Sequence, residues 1–172
     1  MAASLRTDEE IAAIYHRHVD TVYRICFSFM KNAADTEDIV QETFLKLITC
    51  GRQFQSENHE KAWLIVTASN ACKDALKHWS RKAENIENCQ IPVDTAPFES
   101  DPMLDAILML PTKYKEVVYL YYYEGYTTVE IAKMLHCPNS TVRNWLAKAR
   151  KLLKKYYSGG DDYNEKRNLQ RI

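Results

Sequence analysis

No apolar run in these 172 residues approaches the roughly 18 that a membrane span needs, which argues against a helical membrane protein. The N-terminal stretch MAASLRTDEEIAAIYHRHVD turns acidic where a secretion signal would carry its hydrophobic core. A cytoplasmic protein without membrane insertion is therefore expected. The five cysteines, Cys26, Cys50, Cys72, Cys89 and Cys137, are odd in number and widely spread, with no CxxC pair. Neither a disulfide framework nor a zinc knuckle fits that spacing, so buried or half-buried thiols are expected. His16 and His18 lie near Cys26 but at no ligand spacing, so no metal site and no cofactor are expected. No nucleophile–base pair and no phosphate loop can be assembled, so the chain does not read as an enzyme. No internal repeat is visible.

Net charge is also missing: the chain is formally neutral. That neutrality hides an asymmetry. From Met1 to Lys82 acids and bases balance, whereas from Ala83 to Leu110 only acids occur: Glu84, Glu87, Asp94, Glu99, Asp101 and Asp105. Beyond Pro111 bases outnumber acids. Two folded halves, residues 1–83 and 103–157, are expected, joined by a poorly ordered acidic linker over 84–102. The second half is drawn to something negative. The tail, 158–172, has a Gly pair and few apolar residues, and disorder is expected there.

What is present reads as helix almost throughout, giving an all-α fold class. Asp8, Glu9 and Glu10 suit a helix N-terminus, whose unpaired amides attract negative charge. Ile11, Ile14, Tyr15, Val22, Ile25, Cys26 and Phe29 then recur at helical spacing, with an end at Lys31 and Asn32. A second helix is expected over ADTEDIVQETFLKLI, capped by Asp35 or Thr36 with Glu37 and Asp38 in its first turn. Its apolar face is Ile39, Val40, Phe44, Leu47 and Ile48. TCGRQFQSENHEK carries Gly51 and breaks the periodicity, so it reads as a loop. KAWLIVTASNACKDALKHWSRK follows as a third helix, with Trp63, Leu64, Val66, Thr67, Ala71, Ala75 and Leu76 as its buried side. Pro92, Pro97 and Pro102 interrupt the connector. Helix resumes at MLDAILMLP, TKYKEVVYLYYYEG and Thr128, and again after a turn at His136–Asn139.

Two constellations carry chemistry. In YTTVEIAKMLHCPNSTVRNWLAKARKLLKKYY, Thr127 and Glu130 make a capping box. Ile131, Ala132 and Leu135 face inward, with Ala132 small where a second helix crosses. Asn139 is placed to cap that helix, whose inner face is Val142, Leu146, Ala149 and Leu153. This is a helix-turn-helix pattern, whose second helix reads the DNA major groove. Arg143, Asn144, Ala147 and Lys148 lie outward near its front, and Arg150, Lys151, Lys154 and Lys155 follow where phosphates are in reach. A solvated basic face is the plainer alternative, but it leaves the capping box and small crossing residue unexplained. His136 stands where such turns commonly hold glycine at positive φ, a geometry histidine tolerates better than most. In DTEDIVQETFLKL, Glu37, Asp38, Gln41, Glu42 and Lys46 form a polar ridge opposite the apolar stripe. That ridge reads either as a solvated helix face or as a docking surface for a basic partner. Trp63 and Trp79 with Lys73, Lys77, His78, Arg81 and Lys82 mix aromatic and cationic groups suited to unstacked bases, although Trp63 also sits at a core spacing.

In order and spacing, these parts over Ile11–Tyr157 resemble a bacterial RNA polymerase sigma factor of the small, two-domain extracytoplasmic-function (ECF) type. TEDIVQETFLKL is similar to that family's core-polymerase-binding segment, AWLIVTASNACKDALK to its promoter-melting segment, and LPTKYKEVVYLYYYEGYTTVEIAKMLHCPNSTVRNWLAKARKLLKK to its C-terminal domain. The resemblance implies a transcription initiation factor that binds core polymerase and directs it to −10 and −35 promoter elements. It implies that Asp38, Gln41 and Glu42 face the β′ clamp helices. Phe54, Asn58 and Lys61, with Asn70 and Lys77, would meet the −10 element, where a flipped base costs a few kcal/mol of stacking and pairing. Thr141, Arg143, Asn144, Ala147 and Lys148 would contact the −35 element. The β flap and an anti-sigma factor are further implied partners. Trp145 stands where the family usually has Arg, and Lys148 replaces the family's second Arg with a point charge. Two rivals remain: a helix-turn-helix regulator acting without polymerase, and a sigma-like adaptor or anti-sigma-binding protein. The first leaves DIVQETFLKL unexplained, and the second leaves the basic face from Arg143 to Lys155 unexplained.

Overall fold

The computed structural model describes residues 6–83 and 102–157, and every regular element among them is helical. The chain divides into two units, Met1–Pro97 and Phe98–Ile172. The acidic linker from Glu84 to Asp101, Cys89 and the tail 158–172 lie outside the described residues.

Among the described residues of the N-terminal unit there are three helices, α1 (Asp8–Met30), α2 (Ala33–Thr49) and α3 (Glu57–Ala83), each packed against the other two. Thr7 and Glu10 close α1 with a reciprocal capping box, and Lys31 ends it in the left-handed region. Val22, Ile25, Cys26, Leu47, Leu64, Ile65, Ala68 and Cys72 are fully enclosed in the core, the burial that supplies most of the stability of such a bundle. Cys26 and Cys72 meet there across α1 and α3. Their mutual hydrogen bond, then burial, pushes the Cys26 thiol well above its ordinary range. Cys50 is exposed, against the expectation of buried or half-buried thiols throughout.

The described residues of the C-terminal unit form four α-helices and one wider turn. They are α4 (Pro102–Leu108), α5 (Thr112–Val118) running into a π-helical segment Tyr119–Tyr123, α6 (Thr128–Met134) and α7 (Asn139–Tyr157). Helix α7 is the hub, touching α4, α5 and α6. The π segment widens the last turn, so that Glu124 N–H donates to Tyr119 O at 3.2 Å. Gly125 then takes φ 72° and Tyr126 N–H reaches Leu120 O at 3.0 Å. Only a residue without Cβ adopts that φ freely.

Four expectations need correction. Helix α2 starts at Ala33 and is capped by Asn32, whose side chain accepts from Asp35 N–H. Thr36 is instead buried, its hydroxyl donating to Asn32 O at 2.6 Å. Helix α3 starts at Glu57, not Lys61, because acidic Glu57 and Glu60 suit a first turn and both pair with Arg17 of α1. Its buried arc is Leu64, Ile65, Ala68, Ser69, Ala71 and Cys72, while Trp63, Val66, Thr67, Ala75 and Leu76 are half-buried. Finally, Pro102 opens α4 rather than closing the linker, at the one helical position where its missing N–H costs nothing.

His136 has φ 51°. Cys137 N–H donates to Ala132 O at 3.0 Å and His136 N–H to Lys133 O at 3.4 Å, which is a Schellman closure of α6 around a left-handed residue. A Cβ in that region costs energy that glycine avoids. His136→Gly is expected to stabilise the protein by about 0.5–1 kcal/mol, read as a raised midpoint of thermal unfolding. A lowered midpoint would mean that the imidazole itself contributes to the turn.

Candidate nucleic-acid interface

Local chemistry sets α6 and α7 at their turn. Thr127 Oγ1 accepts from Glu130 N–H at 3.3 Å, and Glu130 Oε2 accepts from Thr127 N–H at 2.8 Å, as the capping box requires. The Thr127 hydroxyl, donating to Glu130 Oε2 at 2.7 Å, and then the Thr127 N–H hold the Glu130 carboxyl below its ordinary pKa. Asn139 does not cap α7: its Oδ1 is buried and accepts no hydrogen bond. The Pro138 carbonyl accepts from Thr141 N–H at 2.9 Å and Val142 N–H at 3.4 Å instead. Proline carries no side-chain acceptor, so the helix begins with that carbonyl in place of a side-chain cap.

From this start α7 divides into two faces. Val142, Leu146, Ala149 and Leu153 are buried, as the spacing required. Arg143, Asn144, Ala147, Lys148, Lys151, Lys154 and Lys155 are exposed, and Thr141 and Trp145 sit half-buried at the flank. No acidic residue occurs on α7, so the outward face is uniformly cationic. Arg150 is drawn aside, its Nε donating to the Tyr122 hydroxyl at 3.1 Å. Burial pushes that hydroxyl up and the Arg150 charge partly offsets it. Nearby Tyr126 is pushed up to about 12, by burial and then by Glu124 and Glu130, so it remains a neutral donor.

On the N-terminal unit the residues separate into two groups. Glu37, Asp38, Gln41, Glu42 and Lys46 are exposed on α2, with Leu45 at 60% exposure among them. Glu42 pairs with Lys46 at 2.6 Å, one helical turn on. The second group runs from the α2–α3 loop along α3. Phe54 lies in the loop, its ring 5.6 Å from both His59 and Trp63. Asn58 and Lys61 are on the first turns of α3 rather than in the loop. Asn70 and Lys77 are exposed and follow Trp63 at seven-residue steps, which places the three in one line along the helix. Among the described residues no three His, Cys, Asp or Glu side chains converge as metal ligands.

Sequence reasoning overlooked the groups that hold this second set. Glu60 is buried, accepting from Arg17 Nη1 at 3.1 Å and lying 2.8 Å from His18 Nε2. Arg6 reaches the last turn of α2 and the Phe54 ring. The partners stand more than forty positions apart in the chain, and no local pattern links them.

Comparison with known proteins decides what these two faces belong to. Residues 14–82 match the model of Sigma-70 region 2, and residues 100–153 that of Sigma-70, region 4. The RNA polymerase sigma factor CarQ of Myxococcus xanthus is 31% identical over 129 residues, covering 70% of this chain and 74% of that protein. The chain belongs to the ECF RNA polymerase sigma factors. The ECF sigma factor SigW of Bacillus subtilis is 26% identical over 165 residues, covering 86% of this chain and 88% of the relative. The sigma factor RpoE of Bartonella quintana, solved with the anti-sigma factor NepR, has a TM-score of 0.68 at 18% identity, covering 87% of this chain and 95% of that one. CnrH, solved with the cytosolic domain of CnrY, gives 0.65 at 19% identity, covering 92% and 94%. These structures share the fold. As a member of this family, the sigma factor described here directs RNA polymerase to promoters. Region 4 spans the helix-turn-helix and most of its basic α7, and region 2 spans most of α1, all of α2 and most of α3.

The Glu130 bonds make an acid-dependent prediction. A carboxyl held below its ordinary pKa contributes stability that is complete above the ordinary glutamate range. That contribution declines as pH falls below it and is gone once Glu130 protonates. The amide protection of Glu130 should therefore fall on acidification, and Glu130→Gln should flatten that dependence in an NMR pH titration. An identical titration in the variant would assign the fraying to another group.

Proposed function

We propose that the N-terminal unit, residues 1–83, docks on core polymerase and reads the −10 element, while residues 103–157 read the −35 element. The segment 84–101 links them and 158–172 is a tail. The observation that carries this reading is the outward projection of two chemically opposite surfaces. One is the acidic-polar ridge of α2, and the other is the uniformly cationic face of α7.

Asp38, Gln41 and Glu42 dock on the β′ clamp helices, where carboxylates and an amide meet basic and polar partners and Leu45 supplies apolar area. The Glu42–Lys46 pair is solvent-exposed and worth little by itself, so Glu42 exchanges it for an intermolecular partner at small cost. Along the loop and α3, Phe54 offers a ring, Asn58 and Asn70 offer amides that hydrogen-bond base edges, and Lys61 and Lys77 offer cations for the single-stranded backbone. On α7, Thr141, Arg143, Asn144, Ala147 and Lys148 face the −35 major groove. Arg and Asn suit guanine and adenine, and Ala147 suits a thymine methyl. The β flap is the docking site for residues 103–157, and an anti-sigma factor is a further partner class. That class is supported by the structural relative RpoE, solved with the anti-sigma factor NepR. The protein acts in the bacterial cytoplasm and has no catalytic residue of its own, the polymerase performing the chemistry.

Co-elution with purified core RNA polymerase tests the first assignment. Glu42→Lys should weaken association by about tenfold or more, as loss of a desolvated interfacial charge pair does, with helix content unchanged. Equal co-elution of both proteins would remove α2 from the interface. With the holoenzyme, Arg143→Ala should weaken promoter binding by about 1–3 kcal/mol and relax selectivity at one −35 base pair. An unaltered promoter profile would contradict that placement.

A further inference from the structure

Arg6 stands two residues before α1 and outside the stretch that matches region 2, yet its side chain ends on the α2–α3 loop. Nη1 donates to the Leu47 carbonyl at 2.9 Å, and Nη2 donates to the Arg52 carbonyl. The guanidinium carbon lies 5.1 Å from the centroid of the Phe54 ring. One planar cation thereby ties three points over residues 47–54. Each contact has a separate physical reason. Leu47 lies in the last turn of α2, where unpaired carbonyls and the helix dipole favour a cation. Two donors in a rigid, planar fork meet two carbonyls and a ring face in one fixed geometry, which the point charge of an ammonium does not reproduce. The ring face attracts the cation through its quadrupole.

The loop needs such a restraint. Residues 51–54 adopt no regular structure, and Gly51 stands at φ 57°, so the backbone loses much freedom on ordering. Phe54 is held on its other contacts by His59 and Trp63, and Trp63 begins the line that continues to Asn70 and Lys77. Arg6 and Phe54 also line a cleft of about 400 Å³ with Glu10, Arg17, Arg52 and Gln53. The latch therefore shapes an accessible surface and not the core.

We propose that Arg6 is a positioning residue for −10 recognition, holding the 47–54 backbone and the Phe54 ring in the geometry that meets the unpaired strand. The inference rests on the reading of this loop as part of the −10 interface. Arg6 touches no base in this account; it acts through Phe54 and the loop.

The test uses the full chain with core polymerase, and promoters substituted singly at the −10 or the −35 element. Strand opening is followed by a fluorescent adenine analogue placed in the −10 element. Arg6→Ala should shrink the penalty for −10 substitution and slow opening by about threefold to tenfold, the effect of one or two charge-assisted hydrogen bonds. The −35 penalty and core binding should stay at wild-type values. Arg6→Lys, which keeps the charge and loses the fork, should restore only part of the loss. A wild-type −10 penalty and opening rate in Arg6→Ala would overturn the proposal. So would equal losses in −10 reading, −35 reading and core binding, since Arg6 would then merely hold the unit together. If the wild-type protein itself shows no −10 penalty, the −10 reading of the loop fails and this inference falls with it.

Discussion

Glu60 is the only carboxylate buried among the described residues of the N-terminal unit, and a charge in that position is tolerable only with partners. His18 and Arg17 supply them from the facing side of α1. The consequence reaches beyond one ion pair. Because Glu60 sits in the first turn of α3, satisfying its charge fixes where α3 begins and how it lies along α1. Asn58 and Lys61 take their places on the first turns of that helix, and Trp63, Asn70 and Lys77 follow in line. A single buried carboxylate thus sets the geometry of the surface assigned to the −10 element. Arg6 sets the loop that precedes it.

The C-terminal unit solves its problem differently, with backbone chemistry in place of a buried charge pair at the turn. The capping box at Thr127, the left-handed His136 and the carbonyl of Pro138 define successive boundaries within twelve residues. Once those boundaries are set, the apolar stripe of α7 has one way to pack, and its cationic side has one way to face. Arg150 shows that not every base on a basic helix is equally available, since its Nε is engaged by Tyr122. Tyr122 lies in the π segment, where Tyr121, Tyr122 and Tyr123 are all half-buried.

How much was legible in the sequence varied with the kind of burial. The two faces of α7, though not its cap, are legible because one narrow apolar stripe faces one side, which gives a clean period. Helix α3 was read less well because it packs on both α1 and α2. Its buried arc is wide and includes Ala68, Ser69 and Cys72, small residues that weigh little in any apolar pattern. The α2 cap is not legible from residue type, since Asn32, Asp35 and Thr36 are all plausible caps. The choice among them followed from Thr36 being buried against the Asn32 carbonyl. At the interfaces, the outward position of Asp38, Gln41, Glu42, Arg143, Asn144 and Lys148 was legible from helical spacing. Moving Asn58 and Lys61 from loop to helix was not, since residues 57–61 are polar and carry no period.

The sequence by itself determined the features whose partners lie within a few residues. These are the Thr127–Glu130 box, the turn at His136, the two faces of α7 and the polar ridge of α2. Local geometry depends on spacing alone, and spacing is written in the chain. Only the tertiary structure decided the burial of Glu60 beside His18, the start of α3, the meeting of Cys26 with Cys72 and the reach of Arg6 to Leu47 and Arg52. Those contacts join residues 41 to 46 positions apart, and their partners come within reach only after the helices have packed.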